Sequence, residues 1–267
     1  MVRERRKKPA KVEVLNYTKS PLETVAMAAR LCYSPTTIEQ LEKRISDKDQ
    51  AQFVERLFTS GHLSPFEHIS FTFGIEGVSR ALTHQLVRHR MASPSQQSQR
   101  YVNMEGFDFI TPPSIRRTEQ LNTFYKDFMD MANNAYQVLA EGLLEAYAAE
   151  YWLDERFEHE ADKRFSDTLK EKYPQMFQVL SKKAYEDARY VLPNACETKI
   201  IMTFNARSLF NFFRLRTCYR AQWEIRELAE IMLEKCVEIA PEVFQHSGPG
   251  CTFGECKDME FCEMRGE

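Results

Sequence analysis

Two stretches of this chain carry many cations and no carboxylate, and they restrict how it can fold. Gly77 to Met104 holds four Arg and two His without one Asp or Glu. Thr198 to Trp223 holds Lys199, Arg207, Arg214, Arg216 and Arg220, again with no acid. Charge of one sign left uncompensated in sequence must meet solvent, a distant acid or an anionic ligand. The densest part is RHRMASPSQQSQR, residues 88–100: Arg88, His89 and Arg90, seven further residues, Ser98, then Arg100. The planar fork of arginine suits phosphate and carboxylate, and Ser93, Ser95, Gln96, Gln97, Ser98 and Gln99 supply neutral partners. The alternative is a solvated basic loop, which would normally mix in Lys and carboxylates. An anion site is the expectation.

The rest of the chain limits what that anion can be. At 267 residues it can bury a substantial core, and a net charge of -3 argues against a general nucleic-acid binder. The basic character is local, so a small ligand is expected. MVRERRKKPA at the start has the charge of a signal peptide without its apolar run, and no segment has the length to span a bilayer. Seven Cys, an odd number, suit a reducing compartment, so the expected location is cytoplasmic.

Periodicity predicts a strand over 12–17, helices over 21–33 and 37–60, and a strand over 68–77. A helix over 78–92 would deliver the basic motif. A short strand over 107–111, a helix over 118–151, a helix over 174–190, a strand over 197–204 and helices over 206–217 and 221–239 follow. The charged run 152–172 reads as a solvated helical hairpin without a catalytic role. The expected class is α+β (mixed α/β): a central, mostly antiparallel sheet flanked by long helices. A single domain over 1–267 is expected, with a helical insertion at about 141–172 and a Cys-rich tail at about 246–267.

On a helix, Arg207, Asn211 and Arg214 share one face, while Arg216 lies nine residues from Arg207 and points almost oppositely. One helix would then address two places. A Phe stripe at Phe210, Phe212 and Phe213 reads as core. With no GxGxxG and no GxxxxGK[ST], any dinucleotide must be held by arginines and helix ends. His62 and His68 flank SPFE, where a turn-stabilising role is favoured over metal. His246, Cys251, Cys256 and Cys262 lack the close CxxC pairs of structural zinc sites, so no metal is expected. Cys218 has no base beside it in sequence.

RHR, seven residues, then Ser resembles the signature of the flavin-dependent thymidylate synthases. The likeness extends through HLSPFEH (62–68), RYVLP (189–193), NARSLFNFFRLR (205–216) and AQWEIRELA (221–229). The resemblance implies a homotetramer with shared active sites, FAD as cofactor, and conversion of dUMP to dTMP by reductive methylation. Methylenetetrahydrofolate would be the carbon donor and NADPH the reductant, with no cysteine nucleophile, no nucleic acid and no membrane. It implies flavin contacts at Ser64, Arg88, His89, Arg90, Gln96, Asn205, Arg207 and Asn211. It implies a dUMP pocket of Gln85, Arg88, Gln96, Ser98, Gln99, Arg100, Arg189 and Arg216. Arg216 would be catalytic, sitting by the uracil ring and favouring ionisation at N3. Gln96 stands where some members carry Glu, which keeps hydrogen bonding and alters local charge. The rival class is a noncatalytic RNA or nucleotide-binding module using the same arginines.

Overall fold

In the computed structural model the description covers residues 3–4, 10–46, 49–156, 158–253 and 262. Cys256 lies outside them, as does much of the Cys-rich tail. The chain forms two compact units, one from Ser79–Ala81 and Gln96–Thr198 with the short strand Arg3–Glu4, the other from Lys8–Val78, Leu82–Ser95 and Lys199–Glu267.

The second unit is built on a sheet with strand order β1-β2-β4-β3: β1 is Lys11–Tyr17, β2 Ser70–Ser79, β3 Ala92–Gln96 and β4 Glu197–Asn205. β1 and β2 pair antiparallel with a bulge between Val14 and Asn16, and the Thr72 and Thr203 hydroxyls hydrogen-bond across β2 and β4 at 2.9 Å. Period-2 alternation sends Phe71, Phe73, Ile75, Ile200, Met202 and Phe204 to one face, where all are buried. Helices α8 (Ala206–Arg216) and α9 (Trp223–Ile239) contribute Leu209, Phe212, Phe213, Ile225, Leu228 and Met232 to the same core. Both are capped by side chains that accept backbone N–H: Asn205 from Ser208 at 2.8 Å, and Gln222 from Glu224 at 3.0 Å and Ile225 at 3.2 Å.

The α+β class holds, and three local expectations are corrected. The 37–60 helix is two, α2 (Ile38–Ser46) and α3 (Ala51–Thr59), following α1 (Pro21–Leu31). Gln50, just before α3, has a buried side chain that donates to the Ile45 carbonyl of α2 at 3.1 Å, a backbone bond the periodicity hides. The 78–92 helix is only α4, Arg80–Leu86, so Arg88 to Arg90 sit in the short connection between it and β3. β3 was not foreseen, because ASPSQ has neither alternation nor β-branched residues.

In the first unit, α5 is a helix of 37 residues, Glu119–Glu155, packed with α6 (Phe165–Lys172) and α7 (Pro174–Ala188). Glu145 on α5 accepts the Phe165 amide at 2.7 Å and the Ser166 amide at 3.1 Å, capping α6. Burial alone would raise its carboxyl pKa, but these bonds and Arg164 bring it below the ordinary value. Ala148, Leu169, Trp152, Phe165 and Phe177 form a small apolar cluster there. The charged run is therefore a packed element with its own core rather than a solvated hairpin. Tyr136 of α5 is fully buried, and its hydroxyl accepts the Met104 amide at 3.1 Å. Tyr136→Phe leaves that buried amide unpaired and should lower stability by about 1–3 kcal/mol in urea unfolding. An unchanged midpoint would show that the bond contributes nothing.

Candidate active site

The basic motif begins where α4 ends. The Arg88 and His89 amides donate to the Gln85 and Leu86 carbonyls at 3.2 and 3.1 Å, tightening the last turn and projecting residues 88–90 beyond it. Arg88 and Arg90 are exposed, whereas the His89 ring is half-buried edge-on to Phe212, with centroids 5.0 Å apart. Phe212 is fully buried on the core face of α8, so the hydrophobic core itself sets the imidazole's position.

His89 Nε2 accepts a hydrogen bond from Arg216 Nε at 3.1 Å, and Arg216 Nη1 donates to Gln85 Oε1 at 3.4 Å. With Nε2 as acceptor, the imidazole proton belongs on Nδ1. Burial first, and the Arg216 charge second, push the His89 pKa below its ordinary value. The neutral ring is thus the form that holds Arg216.

Arg88, His89, Arg90 and Arg216 line a cavity of about 570 Å³ that also takes in Glu67, Asn205, Arg207, Asn211 and Leu215. Arg207 pairs with Glu67, a partner not foreseen although it lies within HLSPFEH. Asn205 uses its Oδ1 for the α8 cap, so its amide nitrogen is the group left to face a ligand. Arg214 donates to Asn211 at 3.3 Å and lies outside the cavity wall. The opposite helical phase of Arg207 and Arg216 does not keep them in separate cavities, since both line this one. Arg216 ends the helix, and its long side chain reaches back to His89 and Gln85.

Ser64 lies in the turn Ser64–His68, on a neighbouring cavity that Arg207 also lines. The remaining positions belong to the first unit. There Arg100 pairs with Glu186 at 2.8 Å, and Arg189 Nε donates to the Glu186 carbonyl at 3.2 Å, so one residue of α7 organises both arginines. Ser98 Oγ accepts the Arg100 amide at 3.2 Å, and Gln96 Nε2 donates to Thr198 Oγ1 at 3.3 Å. Gln99 is half-buried in the same loop. Arg80, which sequence reasoning passed over, donates to the Gln97 carbonyl at 3.4 Å and feels the charge of Arg189. Its place in the acid-free window was the available signal.

His246 contacts Glu55 at 3.2 Å and stacks on Phe58. Among the described residues no group of three or more His, Cys, Asp or Glu could hold a metal ion. Burial pushes the Cys196 thiol up to about 12, so it is not a thiolate nucleophile at neutral pH.

Fold and site together define an α+β protein that concentrates guanidinium groups around small-ligand cavities. The family model described as thymidylate synthase complementing protein matches residues 13–242. A flavin-dependent thymidylate synthase of Clostridium tetani is 47% identical over 248 residues, covering 93% of this chain and 90% of its own. One from Geobacter sulfurreducens is 42% identical over 250 residues, covering 93% and 91%. One from Pyrococcus furiosus is 37% identical over 259 residues, covering 94% and 90%. The chain belongs to the flavin-dependent thymidylate synthase family.

Because the folded His89 pKa is depressed, its neutral form contributes stability that is present above the unfolded value of about 6.5 and lost as pH falls through the folded value. His89→Gln keeps an acceptor without the titration. Urea unfolding from pH 8 to pH 5 should show wild type losing stability relative to this variant on the acid side. Parallel curves would remove the neutral-acceptor role.

Proposed function

We propose that this chain catalyses the reductive methylation of dUMP to dTMP, taking carbon from methylenetetrahydrofolate and reducing equivalents from NADPH, with FAD as cofactor. The observation that carries the reading is the cavity where the RHR turn, Asn205, Arg207, Asn211 and Arg216 meet around one space. Its donor set fits a dinucleotide: guanidinium forks for the diphosphate, two side-chain amides, and apolar Met91 and Leu215 beside them. That is the alternative to a Gly-rich phosphate loop, which this sequence lacks. FAD, when bound there, would supply the redox chemistry that couples NADPH to the pyrimidine.

Arg88, Arg90, Arg207 and Asn211 hold the cofactor, with Ser64 as a further contact. His89 and Gln85 fix the guanidinium of Arg216, which stands by the uracil ring of dUMP. A fixed cation there lowers the N3 pKa, and the resulting anion makes C5 more nucleophilic. Within the first unit, Ser98, Gln99, Arg100 and Arg189 are groups suited to a nucleotide, Arg100 and Arg189 carrying charge that fits a phosphate. The buried Cys196 and Cys236 thiols, both pushed up by burial, have no part in this chemistry.

The working form is a homotetramer with shared active sites, located in the cytoplasm. Support for assembly comes from α5, where Leu121, Phe124, Phe128, Met131 and Val138 are all exposed along one stripe. Their 3-4-3-7 spacing is that of a helical seam buried by another chain. Among the described residues no helix is long and apolar enough to cross a membrane.

Protein incubated with FAD and desalted should keep the oxidised-flavin absorbance; a colourless preparation would overturn the reading. Arg216→Ala should lower dTMP formation by about 10²–10³-fold, the scale for losing one preorganised electrostatic group, while flavin stays bound. Turnover at the wild-type rate would reject the role given to Arg216.

A further inference from the structure

Met91 follows the RHR triplet directly and lines the same cavity as Arg88, Arg90 and Arg207. It is 72% exposed, so its thioether is open to whatever enters that cavity. Among the other described methionines, Met104, Met129, Met202 and Met232 are buried, and Met27 and Met176 are half-buried. Met131 matches it at 65%, but belongs to the α5 stripe read above as covered by another chain. The described lining of the RHR cavity holds no cysteine, which leaves the Met91 sulfur as its readily oxidised atom.

The oxidant follows from the function proposed above, on which this inference rests. When dUMP is scarce, the two electrons of NADPH have no pyrimidine to reduce and pass to dioxygen. NADPH, a proton and dioxygen then give NADP+ and hydrogen peroxide, which is released at the cavity that Met91 lines. The sulfur lone pair attacks one peroxide oxygen and the O–O bond breaks. The departing hydroxide takes up the proton of the transferred oxygen, leaving sulfoxide and water. Guanidinium donors such as those of Arg88 and Arg90 stabilise a departing hydroxide. We infer that Met91 is a sulfoxidation site, modified by peroxide from NADPH oxidation without nucleotide, and that its sulfoxide weakens cofactor binding. The sulfoxide oxygen is a polar acceptor where the thioether was apolar, and it competes with a diphosphate for the same arginine forks.

The test incubates FAD-loaded protein with NADPH in air, without dUMP, in the presence of catalase and N-acetylmethionine. Catalase destroys peroxide that escapes, and N-acetylmethionine reports any that persists in solution. Peptide mass spectrometry should find Met91 heavier by one oxygen and N-acetylmethionine unchanged. Adding dUMP and methylenetetrahydrofolate should slow the gain at Met91. The oxidised protein, stripped and titrated with FAD, should bind it about tenfold more weakly, the scale of one charged hydrogen bond diverted. Methionine sulfoxide reductase should restore the affinity, and Met91→Leu protein given the same treatment should keep the affinity of its own untreated sample. Met91 left unoxidised while NADPH is consumed overturns the inference, as does oxidation no faster than that of N-acetylmethionine. An equal loss of FAD affinity in treated Met91→Leu protein also overturns it. Protein that neither retains FAD nor consumes NADPH would overturn the functional reading, and this inference with it.

Discussion

The contact between a neutral imidazole and a guanidinium, His89 Nε2 with Arg216 Nε, is where core packing becomes chemistry. A histidine beside an arginine would ordinarily remain neutral or turn away. Here Phe212, sealed in the core, stands edge-on to the ring and fixes it, and half-burial disfavours the imidazolium. The ring is left as an acceptor aimed at Arg216. α8 begins at the Asn205 cap and ends at Arg216, so the helix that completes the core also carries residues for both ends of the cavity.

Charge segregation has a structural consequence as well as a functional one. Several guanidinium groups around one cavity repel each other, and few acids are supplied to relieve them. Glu67 meets Arg207 and Glu186 meets Arg100. Both pairs are partly exposed, where ion pairs contribute little to stability, about 0–1 kcal/mol. Their value lies in orientation: each fixes one arginine while leaving part of its fork for a ligand. The two units solve this separately, with α7 supplying Glu186 in one and the turn before β2 supplying Glu67 in the other.

Much of this was legible in the sequence, and the gaps have physical causes. Alternation in ISFTFGI and the cap-to-arginine run of α8 declared themselves because period and burial agree there. β3 stayed hidden because ASPSQ pairs as a strand through the backbone, with side chains that carry no strand signature. The division of 37–60 was invisible because a buried glutamine making a backbone bond looks like any helical glutamine. The two arginine windows could be read from the missing carboxylates, but which of their residues share a cavity could not. Helical phase set Arg216 opposite Arg207, and only the reach of a terminal side chain brought both into one space.

Flavin-mediated methylation of dUMP at these arginine-lined cavities is the central proposal. Its most direct test is dTMP formation from dUMP and isotopically labelled methylenetetrahydrofolate, followed by mass spectrometry, with FAD and NADPH each present or withheld. Labelled dTMP is expected only when both are supplied. Labelled dTMP formed by the flavin-free protein or without NADPH, or none under any condition, would contradict it.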